Sequence, residues 1–130
     1  MGLDTYLSAV SAQGTKTRLM YWRKCYRLDE WFLNNAEEAA EVEEGAEWLD
    51  KKDVFIISRP KLWDLLNKCE ESVRSLNPDI LGHEPTYGDG MYDSDLIGLL
   101  SQLRDDAERL RSFLNNPCFY NHNFYYERSY

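Results

Sequence analysis

Residues 53–76 read Asp-Val-Phe-Ile-Ile-Ser-Arg-Pro-Lys-Leu-Trp-Asp-Leu-Leu-Asn-Lys-Cys-Glu-Glu-Ser-Val-Arg-Ser-Leu, and the hydrophobic period changes inside them. The first six residues are rich in β-branched and aromatic side chains, which predicts a strand over 53–58. Ser58 is a good helix N-cap, and Pro60 falls in the first turn, where its missing N–H costs little. Leu62, Leu65, Leu66, Cys69, Val73 and Leu76 then mark one face of a helix over 59–76. Asn77-Pro78 stops it. A strand that feeds directly into a helix sets the class of fold to look for on either side.

Downstream, 77–92 carries Pro78, Gly82, Pro85, Gly88 and Gly90 and reads as a long loop. Ser94 can cap a helix over 94–115, striped by Leu96, Leu99, Leu100, Leu103, Ala107, Leu110, Phe113 and Leu114. Asn115-Asn116-Pro117 ends it, and 118–128 reads as one strand or a tight hairpin. Upstream, 3–10 reads as a strand, 11–15 as a turn with Gly14, and 16–20 as a second strand completing a hairpin. Tyr21, Cys25, Leu28 and Phe32 recur at helical spacing, which predicts a helix over 21–35. Segment 36–50 holds seven carboxylates and no base, so its like charges repel at helical spacing. It reads as a mobile loop or frayed helix. Segregated strands and helices predict an α+β domain spanning 1–130: a small, mostly antiparallel sheet with about three helices packed on one face.

A length of 130 residues fits one domain without a disulfide or metal staple. Three widely spaced cysteines, Cys25, Cys69 and Cys118, with no CxxC, point to a reducing compartment. Residues 1–20 carry Asp4, Lys16 and Arg18 and lack the apolar core of a signal peptide. No run approaches a membrane span. The net charge of −8 disfavours direct nucleic-acid binding, which needs cations to replace condensed counterions.

Two charge blocks stand out. Lys16 to Arg27 holds five cations and no acid, interleaved with Tyr21, Trp22 and Tyr26. Arginine donates bidentately to phosphate or carboxylate, and rings stack on bases. Tyr21, Trp22, Arg23, Lys24 and Arg27, with Tyr126 and Arg128 of the aromatic C-terminal stretch, are therefore candidates for binding an anionic, nucleotide-like ligand. The competing reading is that these cations pair with neighbouring acids while the rings pack inward. The second block, Glu37, Glu38, Glu41, Glu43 and Glu44, is a candidate surface for a basic partner, or simply a solvated face.

Catalytic and metal motifs are missing. Gly88-Asp89-Gly90 with Asp93 and Asp95 fails the calcium-loop template, and His83, His122 and Cys118 lack zinc spacing. No phosphate-binding glycine loop or nucleophile motif occurs. No catalytic residue, cofactor or metal is expected; for an enzyme, Asp29 and Glu30 near Arg23 are the only nominees.

Met1-Gly2-Leu3-Asp4-Thr5-Tyr6-Leu7, Tyr21-Trp22-Arg23-Lys24, Trp31-Phe32 and Phe124-Tyr125-Tyr126 resemble a family of small phage and prophage proteins of unknown function. Members typically begin Met-Gly-Leu-Asp-Met-Tyr-Leu and carry Tyr-Trp-Arg-Lys followed by Ile-His-x-Trp-Phe. This chain has Asp29 where that pattern has His, which puts any role of that His in doubt here. The resemblance implies a bacterial-cytoplasmic, mobile-element setting. Combined with the charge pattern, it leads to the expectation of a phage-type accessory protein that binds a host or defence protein as inhibitor or modulator. A small anionic ligand is the alternative partner, no membrane is involved, and a homo-oligomer is compatible with the sequence.

Overall fold

In the computed structural model, residues 3–23, 25–38, 54–81 and 96–129 are described. The chain runs β1 (Asp4–Val10), β2 (Lys16–Arg23), α1 (Tyr26–Asn35), β3 (Glu37–Glu38), β4 (Val54–Ile57), α2 (Arg59–Ser75), a 3-10 turn (Pro78–Ile80), α3 (Leu96–Leu114), a second 3-10 turn (Pro117–Phe119) and β5 (Asn123–Ser129). The strands form one sheet in the order β2-β1-β5-β4-β3, with every pairing antiparallel. The fold is α+β, as the segregated strand and helix signals predict.

The strand-to-helix junction forms for the reasons legible in its sequence. Ser58 caps α2, its hydroxyl accepting from the Lys61 N–H at 3.4 Å, with Pro60 in the first turn. The far end closes on Leu76 in the left-handed region at φ 55°. The β1–β2 hairpin turns through Ser11–Thr15, where Gly14 takes φ 87° and its N–H donates to the Ser11 carbonyl at 2.9 Å.

Strand alternation gives the sheet two unlike faces. Leu7 and Ala9 of β1, Met20 and Trp22 of β2, Phe55 and Ile57 of β4, and Phe124 and Tyr126 of β5 point to one side and are buried. Helices α1, α2 and α3 lie on that side and supply Leu28, Trp31 and Phe32 (α1), Leu62, Leu65, Leu66 and Cys69 (α2), and Leu99, Leu103, Leu110 and Leu114 (α3) to the same cluster. The C-terminal strand is central, between β1 and β4, which is why so aromatic a segment folds there rather than fraying.

Three expectations need correction. The helix expected over 21–35 begins only at Tyr26, because β2 continues through Arg23. Glu37 and Glu38, expected in a loop or frayed helix, form a two-residue edge strand on β4. The segment 118–128, expected as one strand or a tight hairpin, is one strand, but that strand begins only at Asn123, because the first residues of the segment complete a 3-10 turn.

Candidate functional site

The residues expected to form one anion site are divided between the two faces. A β-bulge at the Leu7–Ser8 step explains how. From the turn outward, Val10 pairs with Lys16, Ala9 with Thr17 and Ser8 with Arg18; then Leu19 is passed over, and Leu7 pairs with Met20. The extra residue sets Trp22 opposite Thr5 on the helix side and Tyr21 opposite Tyr6 on the open side. Trp22 is therefore buried, its indole Nε1 donating to Asp106 Oδ2 of α3 at 3.0 Å, and its ring is closed to an incoming base.

Tyr126 and Arg128 share the helix side with Trp22 and meet Asp29 of α1. Asp29 Oδ1 accepts from the Tyr126 hydroxyl at 2.7 Å and from Arg128 Nε at 2.7 Å, and Oδ2 accepts from Arg128 Nη2 at 3.0 Å. The Tyr126 ring stacks on Phe32, with centroids 3.9 Å apart and planes 9° from parallel. Burial first, then the Asp29 charge, pushes the Tyr126 hydroxyl well above its ordinary pKa. A carboxylate taking three donors in the interior pins α1 to β5; it is not placed to abstract a proton from a ligand. Arg27 is likewise buried and pairs with Asp79 at 2.9 Å. The sequence nominated Tyr126, Arg128 and Arg27 for a ligand, and the structure joins all three to internal partners.

Tyr21 and Arg23 lie on the opposite face, away from the helices. Tyr21 is 50% exposed, its hydroxyl donating to Asp4 Oδ1 at 2.8 Å. That bond, which holds the phenol proton, raises the Tyr21 pKa. Its ring lies beside Tyr6, centroids 5.1 Å apart, and the Arg18 guanidinium sits 3.9 Å from the Tyr6 centroid on the same face. Arg23 is exposed at the end of the row. Lys16 pairs with Glu127 of β5 at 2.6 Å. Tyr6 and Arg18 were missing from the expected site. Their signal was in the hairpin, but only the bulge brings Tyr6 and Tyr21 together.

Lys24, Glu41, Glu43 and Glu44 lie outside the described residues. Glu37 is exposed on β3, and Glu38 follows it in the same strand. Of the two nominees for an enzyme, Asp29 is held as described above and Glu30 is exposed. A surface depression of about 370 Å³ lies along α3 between Asp105, Glu108, Arg109 and Ser112, and none of the described residues of the basic–aromatic set lines it. Among the described residues no cluster of three or more His, Cys, Asp or Glu is arranged to hold a metal, and no helix is long and apolar enough to cross a membrane.

Neither a family model, a curated protein nor a solved structure matches this chain.

Proposed function

We propose that this chain is a phage-type accessory protein that acts by binding a host or defence protein, as an inhibitor or modulator, through the open face of its sheet. The observation that carries the reading is the tier on that face: Arg18 over Tyr6, Tyr6 beside Tyr21, Tyr21 tied to Asp4, and Arg23 beyond them. Tyrosine and arginine are the residue types most enriched where proteins bind proteins, because each offers a large contact area with a directional polar end. Here Arg18, Tyr6, Tyr21 and Asp4 already contact one another before any partner arrives, which lowers the entropy cost of docking.

The cations of the tier select a partner whose contacting surface carries carboxylates. This moves the contact away from the acidic block Glu37–Glu44, which the sequence had matched to a basic partner. It also favours a protein over a small anion. Small-molecule sites are concave and enclose most of their ligand, whereas Arg18, Tyr21 and Arg23 of this tier are exposed side chains on the edge strand.

The test is affinity capture from bacterial lysate, identification of what is captured, and reconstitution with the purified partner. The paired charge reversal Arg18→Glu and Arg23→Glu should weaken that complex by at least about tenfold. Neutralising Glu37, Glu38, Glu41, Glu43 and Glu44 to glutamine should leave it within about twofold. The opposite pattern would return the contact to the acidic block. A thermal shift with nucleotides that disappears in the paired arginine variant would favour the small ligand instead.

A further inference from the structure

We infer that β2 receives an extended, acidic segment of the partner as a sixth strand of the sheet. This deepens the proposed function and rests on it. β2 is the outermost strand on its side: β1 covers its inner edge, and among the described residues no strand covers the outer one. An uncovered edge presents backbone N–H and C=O groups that an added strand can pair with. The opposite edge of the sheet is β3, two residues long and made of Glu37 and Glu38, too short to template a strand.

Charge decides what can dock. The eight residues Lys16–Arg23 read Lys-Thr-Arg-Leu-Met-Tyr-Trp-Arg, with three cations and no acid. Two copies joined through β2 would bring like charges into cross-strand contact, which is unfavourable, so the edge is protected against a second copy of itself. The same cations turn favourable when the incoming strand places carboxylates on the row that Arg18, Tyr21 and Arg23 occupy. The bulge adds a second filter. Because Leu19 breaks the regular spacing, a long flat strand cannot pair along all of β2, whereas a short segment can follow either side of the break.

The probe is a fluorescently labelled peptide of sequence Thr-Glu-Val-Glu-Val-Glu-Thr, blocked at both ends and measured by anisotropy against the full chain at low salt. Saturable binding is expected, weakened at least about tenfold by paired Arg18→Glu and Arg23→Glu, with amide exchange slowed on one side of Leu19, within 16–18 or within 20–23. Methylating alternate backbone nitrogens along one edge of the peptide should abolish binding, and methylating the other edge should leave it. If binding falls with the arginines but ignores methylation on both edges and β2 amides gain no protection, the tier binds acidic chains by side chains alone; the strand inference is then wrong and the proposed function stands. Binding indifferent to the arginine reversal removes both. A peptide that does not bind overturns the added strand, and the lysate complex then judges the proposed function separately.

Discussion

Replacing Asp106 with asparagine should stabilise the protein at neutral pH, and the gain should shrink as the solution is acidified. Asp106 is buried on α3 with Oδ2 accepting from Trp22 Nε1 at 3.0 Å and Oδ1 accepting from Gln102 Nε2 at 2.9 Å. Burial outweighs those two bonds and raises its pKa from 3.8 to about 6. The sign follows from linkage. As pH rises above 3.8 the unfolded chain ionises this group freely while the folded protein resists until about 6, so stability falls across that window and stays lower above it. A gap of about two pK units corresponds to a cost of about 3 kcal/mol at roughly pH 7.5, and about half of that at roughly pH 5. Asparagine keeps the acceptor for Trp22, and Gln102 can turn its amide to accept instead of donate, so both contacts survive without the charge. Part of the gain is offset by the weaker neutral bonds, but that offset is the same at both pH values. The measurement is urea unfolding of both proteins, followed by tryptophan fluorescence, at each pH. The advantage of Asp106→Asn should fall by about 1 kcal/mol or more between the two. An equal difference at both would mean that Asp106 ionises as it does in the unfolded chain, and the argument from burial would fail.

Other consequences are open to direct measurement. Tyr126→Phe keeps the stack on Phe32 but loses the bond to Asp29, and should cost about 2 kcal/mol in chemical denaturation. Asp29→Ala removes the carboxylate that takes the Tyr126 hydroxyl and both Arg128 bonds in a largely buried site and should cost more, about 3 kcal/mol; equal losses for the two would show that the ion pair adds nothing. Of the three thiols, Cys25 and Cys69 are buried and Cys118 is exposed, with burial raising the Cys69 pKa well above its ordinary value. A thiol reagent should therefore label one cysteine quickly in the native protein and all three after unfolding. Leu76 is 67% exposed and holds a left-handed backbone at the end of α2. Leu76→Gly should raise stability by about 1 kcal/mol, detectable as a higher melting midpoint; a lower one would show that its side chain packs more than its exposure implies.

Local signals settled a good part of this molecule. Val54–Ile57, the Ser58 cap, the stripe of α2 and the stripe of α3 each carry their own periodicity and their own stop, so their conformation is fixed by near neighbours in the chain. The aromatic C-terminal stretch was readable as a strand by its composition, and its place at the centre of the sheet follows from the need to bury Phe124 and Tyr126. Over 21–25 a helical pattern competes with a strand pattern. Tyr21, Cys25, Leu28 and Phe32 are spaced like one helical face, but Met20, Tyr21, Trp22 and Arg23 also alternate like a strand, and local spacing does not choose between them.

Tertiary structure made that choice. Counting outward from the Gly14 turn without an irregularity would pair Thr5 with Tyr21 and put Trp22 opposite Asp4 on the open face. The extra residue at Leu19 shifts the register by one, and a shift of one exchanges the faces. Trp22 then reaches Asp106, 84 positions away in the chain, and Tyr21 joins Tyr6 and Arg18 in the open. Composition could say that a cationic, aromatic segment was present. Which of its rings is core and which is surface depends on a long-range pairing whose benefit appears only when α3 and the sheet come together.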